Sequence, residues 1–186
     1  MAVTSGTAND HADLLGLLRA FLLANGWTGL RWTGAELIAM GVGLGGTDQI
    51  YVGIDLHENP VADWFNWRLN GMTGFNDSLA FEQQPGNIAY SAGSVLPRLH
   101  LWNTSIAYWF IVNARRVIVI AKVSTVYQAA YLGLIKPYLP GSALPYPLMI
   151  AGTSTDESGR WSSQLDRHSF GITQPVCSNY SSTEAT

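Results

Sequence analysis

Asp55, His57, Glu58 and Asp63 form the densest cluster of ionisable side chains in the chain. Residues of these types can hold a divalent metal or act as a general acid and a general base. Alternate residues of a strand share a face, so Asp55 and His57 would project together. Their spacing matches no strong ligand motif, and a polar strand end running into the turn at Asn59-Pro60 accounts for the same residues. Gly41-Val-Gly43-Leu-Gly-Gly46 matches the dinucleotide-binding fingerprint letter for letter, and that fingerprint needs a helix directly afterwards to receive the pyrophosphate. The next residues, Asp48-Gln-Ile-Tyr-Val-Gly-Ile, alternate as a strand instead, so the glycines read as a turn between that strand and the one over Glu36 to Met40. His11, His100 and His168 are isolated from one another, and no Ser, Cys or Asp near them supplies a recognisable nucleophile context. The single cysteine, Cys177, permits no intrachain disulfide and reads as an incidental thiol in a polar tail. Of the seven tryptophans, Trp64, Trp67, Trp102 and Trp109 have the chemistry to stack on sugars. Trp102, beside Asn103, is the best placed for it, whereas Trp67 and Trp109 sit in strand-like runs where packing explains them. The expectation is a protein that is not an enzyme and takes no metal or cofactor.

Composition sets the wider frame. A chain of 186 residues suits one domain, and its charged fraction of 12% lies well below the ~25% usual for soluble globular proteins. Much of the surface must then be neutral, and such a surface suits burial against neighbours, so homo-oligomerisation is the expectation. The net charge is −3, the only lysines are Lys122 and Lys136, and the longest basic run is Arg115-Arg116, which argues against direct nucleic-acid binding. The start has neither a basic n-region nor an apolar run, and no apolar stretch approaches the ~20 residues that span a bilayer. A product made in the cytoplasm, with no membrane partner, is expected.

The elements that must position these residues emerge from periodicity. Leu14, Leu15, Leu18, Phe21 and Leu22 recur at helical spacing between Asn9 and Asn25, with Asn9 or Asp10 as N-cap and Gly26 as the stop. Beyond Gly29 the period changes. Gln49 to Leu56 and Asp63 to Met72 alternate as strands of one antiparallel sheet, joined across Glu58-Asn59-Pro60. Gly74 to Leu99 reads as a long loop, long enough to reach a neighbouring subunit. Tyr108 to Val112 and Arg116 to Val123 read as a tight hairpin around Asn113-Ala114-Arg115. Ser124 is expected to cap a second helix from Thr125 to Ile135 that carries Ala129, Ala130 and Leu134 and ends at Pro137. A proline-marked excursion then runs to Pro147, with a short strand Leu148 to Ala151 after it. The fold class is therefore α+β, a mainly antiparallel β-sheet with an N-terminal helix and a second helix after the hairpin. Residues 1–152 form the single domain, and residues 153–186 a loop-like tail ordered in an assembly.

Several stretches also resemble a known family. The longest is Trp102-Asn-Thr-Ser-Ile-Ala-Tyr-Trp-Phe-Ile-Val-Asn-Ala-Arg-Arg-Val-Ile-Val-Ile-Ala-Lys-Val-Ser-Thr-Val-Tyr-Gln-Ala-Ala-Tyr-Leu-Gly. With it go Ser5-Gly-Thr-Ala-Asn-Asp-His-Ala-Asp-Leu-Leu, Gly43-Leu-Gly-Gly-Thr-Asp-Gln-Ile-Tyr-Val-Gly-Ile, Gly71-Met-Thr-Gly, Pro145-Tyr-Pro-Leu and Gly159-Arg-Trp-Ser-Ser. Together they resemble a family of virion structural proteins of tailed bacteriophages, over about residues 4–163. The resemblance implies a virion location in the phage tail, at the baseplate or distal tail-tube region, with itself and other phage tail proteins as partners. It also implies assembly by multi-subunit or ring contacts. A neck, collar or tail-terminator station, a receptor- or glycan-binding tail appendage, and a small metal-dependent hydrolase using Asp55, His57 and Glu58 are the alternatives. The candidate interface residues are Tyr108, Trp109, Phe110, Arg115 and Arg116 at the hairpin, and Pro137, Tyr138, Pro145 and Tyr146 in the proline-marked segment.

Overall fold

The computed structural model of the chain describes residues 1–43, 45, 47–87, 96–135, 148–163 and 176–178. Two antiparallel sheets enclose a core into which one helix is wedged. In chain order the elements are β1 (Ala2–Ala8), α1 (His11–Leu23), β2 (Thr28–Trp32), β3 (Glu36–Val42), β4 (Gln49–Asn59), β5 (Trp64–Met72), β6 (Arg98–Leu101), β7 (Ile106–Asn113), β8 (Arg116–Val123), β9 (Val126–Leu134), β10 (Leu148–Ala151) and β11 (Val176–Ser178). The five-stranded sheet runs β2-β3-β4-β5-β6, and the six-stranded sheet runs β1-β7-β8-β9-β10-β11. Each is a meander of consecutive strands, except that β1 joins the second sheet beside β7 before α1 carries the chain across to the first.

The helix forms where its apolar spacing requires it. Asp10 is the N-cap, its Oδ1 accepting hydrogen bonds from the amides of Ala12 and Asp13, and Gly26 leaves the helix at φ +88°. Leu14, Leu15, Leu18 and Leu22 are buried, and α1 packs against β1, β2, β5 and β7. Elsewhere the sheets face each other directly, β9 against β4 and β6, and β10 against β5. Two indoles tie the layers: Trp67 Nε1 donates to the carbonyl of His11 at 3.0 Å, and Trp27 Nε1 to that of Asn113 at 2.8 Å.

The expected strands over Glu36 to Met40, Gln49 to Leu56 and Asp63 to Met72 are present as β3, β4 and β5, with Ile54 opposite Leu69 and Asp55 opposite Arg68. The glycines after Gly41 turn β3 into β4, where the amide of Gly43 meets the carbonyl of Asp48 at 2.7 Å; Leu44 and Gly46 lie outside the described residues. The hairpin is β7 and β8 around Ala114 and Arg115, with Asn113 opposite Arg116.

The second helix is not formed. Its residues are β9, paired along its length with β8, and the helical reading of Ala129, Ala130 and Leu134 gives way to alternation, with Gln128, Ala130, Leu132 and Leu134 inside. Val126, Tyr127 and Tyr131 favour a strand, and the hairpin with β8 rewards it with a full ladder. Ser124, expected as a helix cap, instead takes φ 55° in a two-residue turn, a geometry that suits the right-handed twist of a hairpin.

The stretch from Gly74 to Leu99 is not a loop throughout. Phe81–Gln83 forms a turn of 3-10 helix and β6 begins at Arg98, while residues 88–95 lie outside the described residues. The described part folds back on its own sheet. Arg31 donates to the carbonyls of Asp77 and Leu79, and buried Gln84 accepts from the amide of Asn76 and donates to the carbonyls of Asn76 and Leu79.

Candidate functional site

Strand alternation sends β4, β5 and β6 side chains either to the core or to the outer face of the five-stranded sheet. Ile54, Leu56, Trp67, Leu69 and Leu99 go inward. Asp55, His57, Asn66, Arg68, Arg98 and His100 go outward, in register. This outer face is not open to water. Residues 73–87 cover one side of it, where Phe81 packs with Ile38, Met72 and Leu96. The strap after β10 covers the other: the amides of Thr153 and Ser154 donate to the carbonyl of Arg98, and the side chain of Asn66 donates to the carbonyl of Gly159 at 3.1 Å. Gly152 and Gly159 allow this approach, since a Cβ at the first would collide with the backbone of Arg98 and at the second with the imidazole of His100.

Beneath these covers the charges are engaged. Arg68 Nε lies 3.0 and 3.1 Å from the two carboxylate oxygens of Asp55, and its Nη atoms reach Asp55 and Glu82. Burial pushes the Asp55 carboxyl up to about 6 against the pull of Arg68. Burial alone would lower Arg68, but its hydrogen bond to Asp55 and the charges of Asp55 and Glu82 raise it, so the guanidinium keeps its proton throughout. Arg98, directly opposite Arg68, is 3% exposed and lies 2.9 Å from His57 Nδ1 and 3.3 Å from Glu157 Oε1. Burial lowers His57, and the neighbouring Arg98 and Arg68 lower it further, so the ring is neutral and accepts from Arg98 through Nδ1. Burial also lowers His100, whose Nε2 sits 3.0 Å from the carbonyl of Asp156.

Arg98 Nε, Asn66 Oδ1 and His100 Nδ1 are buried without a hydrogen-bond partner among the described residues. An incompletely satisfied ionic layer adds little net stability but fixes the position of the segments it pins. Its chemistry is that of a clamp on the strap.

The sequence candidates fall into different places. Asp55 and His57 share the outer face as expected, but Glu58 projects to the other side, where its Oε2 lies 2.7 Å from His11 Nε2 without the alignment of a hydrogen bond. Asp63 stands in the β4–β5 turn at φ 57°, 3.7 Å from Arg160. Among the described residues no group of three His, Cys, Asp or Glu side chains is placed to hold a metal ion. Trp102 packs edge-on against Trp161 at 5.2 Å and donates to the carbonyl of Ser105. His168 lies outside the described residues, and Cys177 falls in β11. Arg68, Arg98 and Glu157 are absent from the sequence candidates; the signal for the first is the polar alternation Asn66, Arg68, Asn70, which reads locally as solvent-facing.

No known protein family matches the chain, and no curated protein does either.

Of the candidate interface residues, Tyr108 and Phe110 point inward and stack at 4.3 Å in the core, while Trp109 points outward, 6.0 Å from Tyr127. Arg115 is exposed in the turn, and Arg116 is half-buried. The turn itself is anchored, because the carbonyl of Ala114 accepts from Val42 and that of Arg115 from Leu134. Pro137, Tyr138, Pro145 and Tyr146 lie outside the described residues.

The outer face of the six-stranded sheet differs from that of its partner. Trp109, Ile111, Ile118, Ile120, Ala129 and Tyr131 occupy it on β7, β8 and β9, and Val3, Ser5 and Thr7 on β1, all at least partly exposed. Arg116 and Lys122 stand at the two ends of its β8 row, and Lys122 lies over the ring of Tyr127. No acidic residue belongs to these four strands.

Proposed function

We propose that this chain is a structural component of a bacteriophage tail, stationed at the baseplate or distal tail-tube region and acting through multi-subunit assembly. The observation that carries the reading is where its most specific resemblance falls: Trp102 to Gly133 becomes the β7-β8-β9 meander, whose inner face builds the core and whose outer face is apolar. A surface of Ile, Trp and Tyr on a chain with so few charges suits burial against other subunits. The ionisable residues support the same reading, because Asp55, Arg68, Arg98 and Glu157 hold the chain's own segments in place. Within the described residues no helix is long and apolar enough to cross a membrane.

The test is incorporation. Arg115→Glu with Arg116→Glu places two carboxylates at the anchored β7–β8 turn, and we expect a folded monomer that fails to enter particles when it replaces the wild-type chain in the producing phage. Normal infectious particles carrying the double variant would sink the assignment.

A further inference from the structure

We infer that the outer face of β1, β7, β8 and β9 is the surface through which two copies of this chain pack against each other, sheet on sheet. The inference rests on the assembly reading above and names the surface that performs it. Strands buried on one face alternate apolar with polar residues, whereas strands buried on both faces are apolar throughout. β8, Arg-Val-Ile-Val-Ile-Ala-Lys-Val, and β7, Ile-Ala-Tyr-Trp-Phe-Ile-Val-Asn, have the second pattern. Val117, Val119 and Ala121 are in the core, yet Ile118 and Ile120 between them remain partly exposed. The sequence is written for two covers and the described residues of one chain supply one.

A second copy fits what is missing. Sheet-on-sheet packing requires a flat, neutral, branched surface about 10 Å from a similar one, and the chain already makes one such contact between its own sheets. The face spans four strands and about seven residues along each, roughly 20 Å by 24 Å. Two such faces remove on the order of 1,000 Å2 from water, the lower bound for a specific interface. Its cations stand at the ends of β8, the half-buried Arg116 at one and the exposed Lys122 at the other, and the centre holds nothing for a charged partner to pair with. The edge strand of the face, β1, carries no charged side chain and no proline, so it does not repel its symmetry mate.

The experiment compares the full-length chain with Ile120→Asp by sedimentation and light scattering across a concentration series, with thermal unfolding of the dilute samples. The wild type is expected to dimerise reversibly. The variant, with a carboxylate at the centre, should bind itself at least ~30-fold more weakly while its dilute unfolding temperature is unchanged. A wild type that stays monomeric overturns the inference, as does a variant of equal affinity. A variant whose dilute monomer unfolds several degrees lower also overturns it, since the face would then be covered by the chain itself. Flotation of monomeric wild type with phosphatidylcholine vesicles would overturn it in favour of a lipid surface. Failure of the tail reading looks different: a chain that dimerises through Ile120 but is absent from virions keeps the interface and loses the tail. Ile120→Asp incorporated normally into particles keeps the tail and loses the interface.

Discussion

The two outer faces solve the same problem in opposite ways. Both belong to antiparallel sheets whose inner faces are packed with Leu, Ile and Val. On the five-stranded sheet the outer face is ionisable and the chain covers it with its own segments, held by Arg68 and Arg98. On the six-stranded sheet the outer face is apolar across the middle of β7, β8 and β9 and, among the described residues, uncovered. The difference shows that polarity does not say which face meets water. Buried charges here mark an intramolecular clamp, and the partly exposed isoleucines mark the face inferred above to take a second copy.

The largest effect that bears on this comparison lies within one strand. Phe110→Ala should cost about 3–5 kcal/mol in chemical denaturation, because Phe110 is fully buried and its loss leaves a cavity. Trp109→Ala, on the opposite side of the same strand, should cost less than about 1 kcal/mol in the dilute monomer and instead weaken self-association. A dilute monomer equally damaged by both would mean that Trp109 is covered within the chain.

Next comes the clamp. Asp55→Ala leaves the Arg68 guanidinium without its buried carboxylate partner, and about 3 kcal/mol of stability should be lost. Thr153→Val removes the hydroxyl that joins the strap to Gln128, leaving that buried amide less satisfied; the expected loss is about 1–2 kcal/mol, with faster hydrogen exchange at the amides of Thr153 and Ser154. Unchanged exchange in Thr153→Val would show that the strap is held elsewhere.

The smallest effects concern pH and separate the faces most cleanly. His57 and His100 bind a proton less readily when folded, so their contribution is complete above the unfolded value of 6.5 and is lost as pH falls below it. Asp55 is shifted the other way, from 3.8 to about 6, so the folded protein binds its proton more tightly and stability through this group falls as pH rises across that window. His57→Gln should flatten the acid side of the unfolding-temperature profile, and Asp55→Asn the slope between about 4 and 6. Ile118→Ser on the other sheet should leave the profile's shape unaltered.

Local elements and their alternation are dictated by the residues alone. Helix α1 with its Asp10 cap, strands β3 to β5, the β7–β8 hairpin and the turn after Gly41 are all legible because each depends on neighbouring residues. Strand β9 misleads because Ala129, Ala130 and Leu134 fit a helix locally, and only the hydrogen-bond ladder offered by β8 outweighs that preference. Nothing local could bring Arg98 to Glu157 or place Arg68 beside Asp55 under residues 73–87, since those meetings require strands and covering segments distant in sequence to be set in register. Register also fixes which way the apolar rows face, because in a strand a shift of one residue exchanges core for surface. Spacing puts Asp55 and His57 on one strand face; the packing of distant segments makes that face a clamp and leaves the isoleucines of the other sheet turned outward.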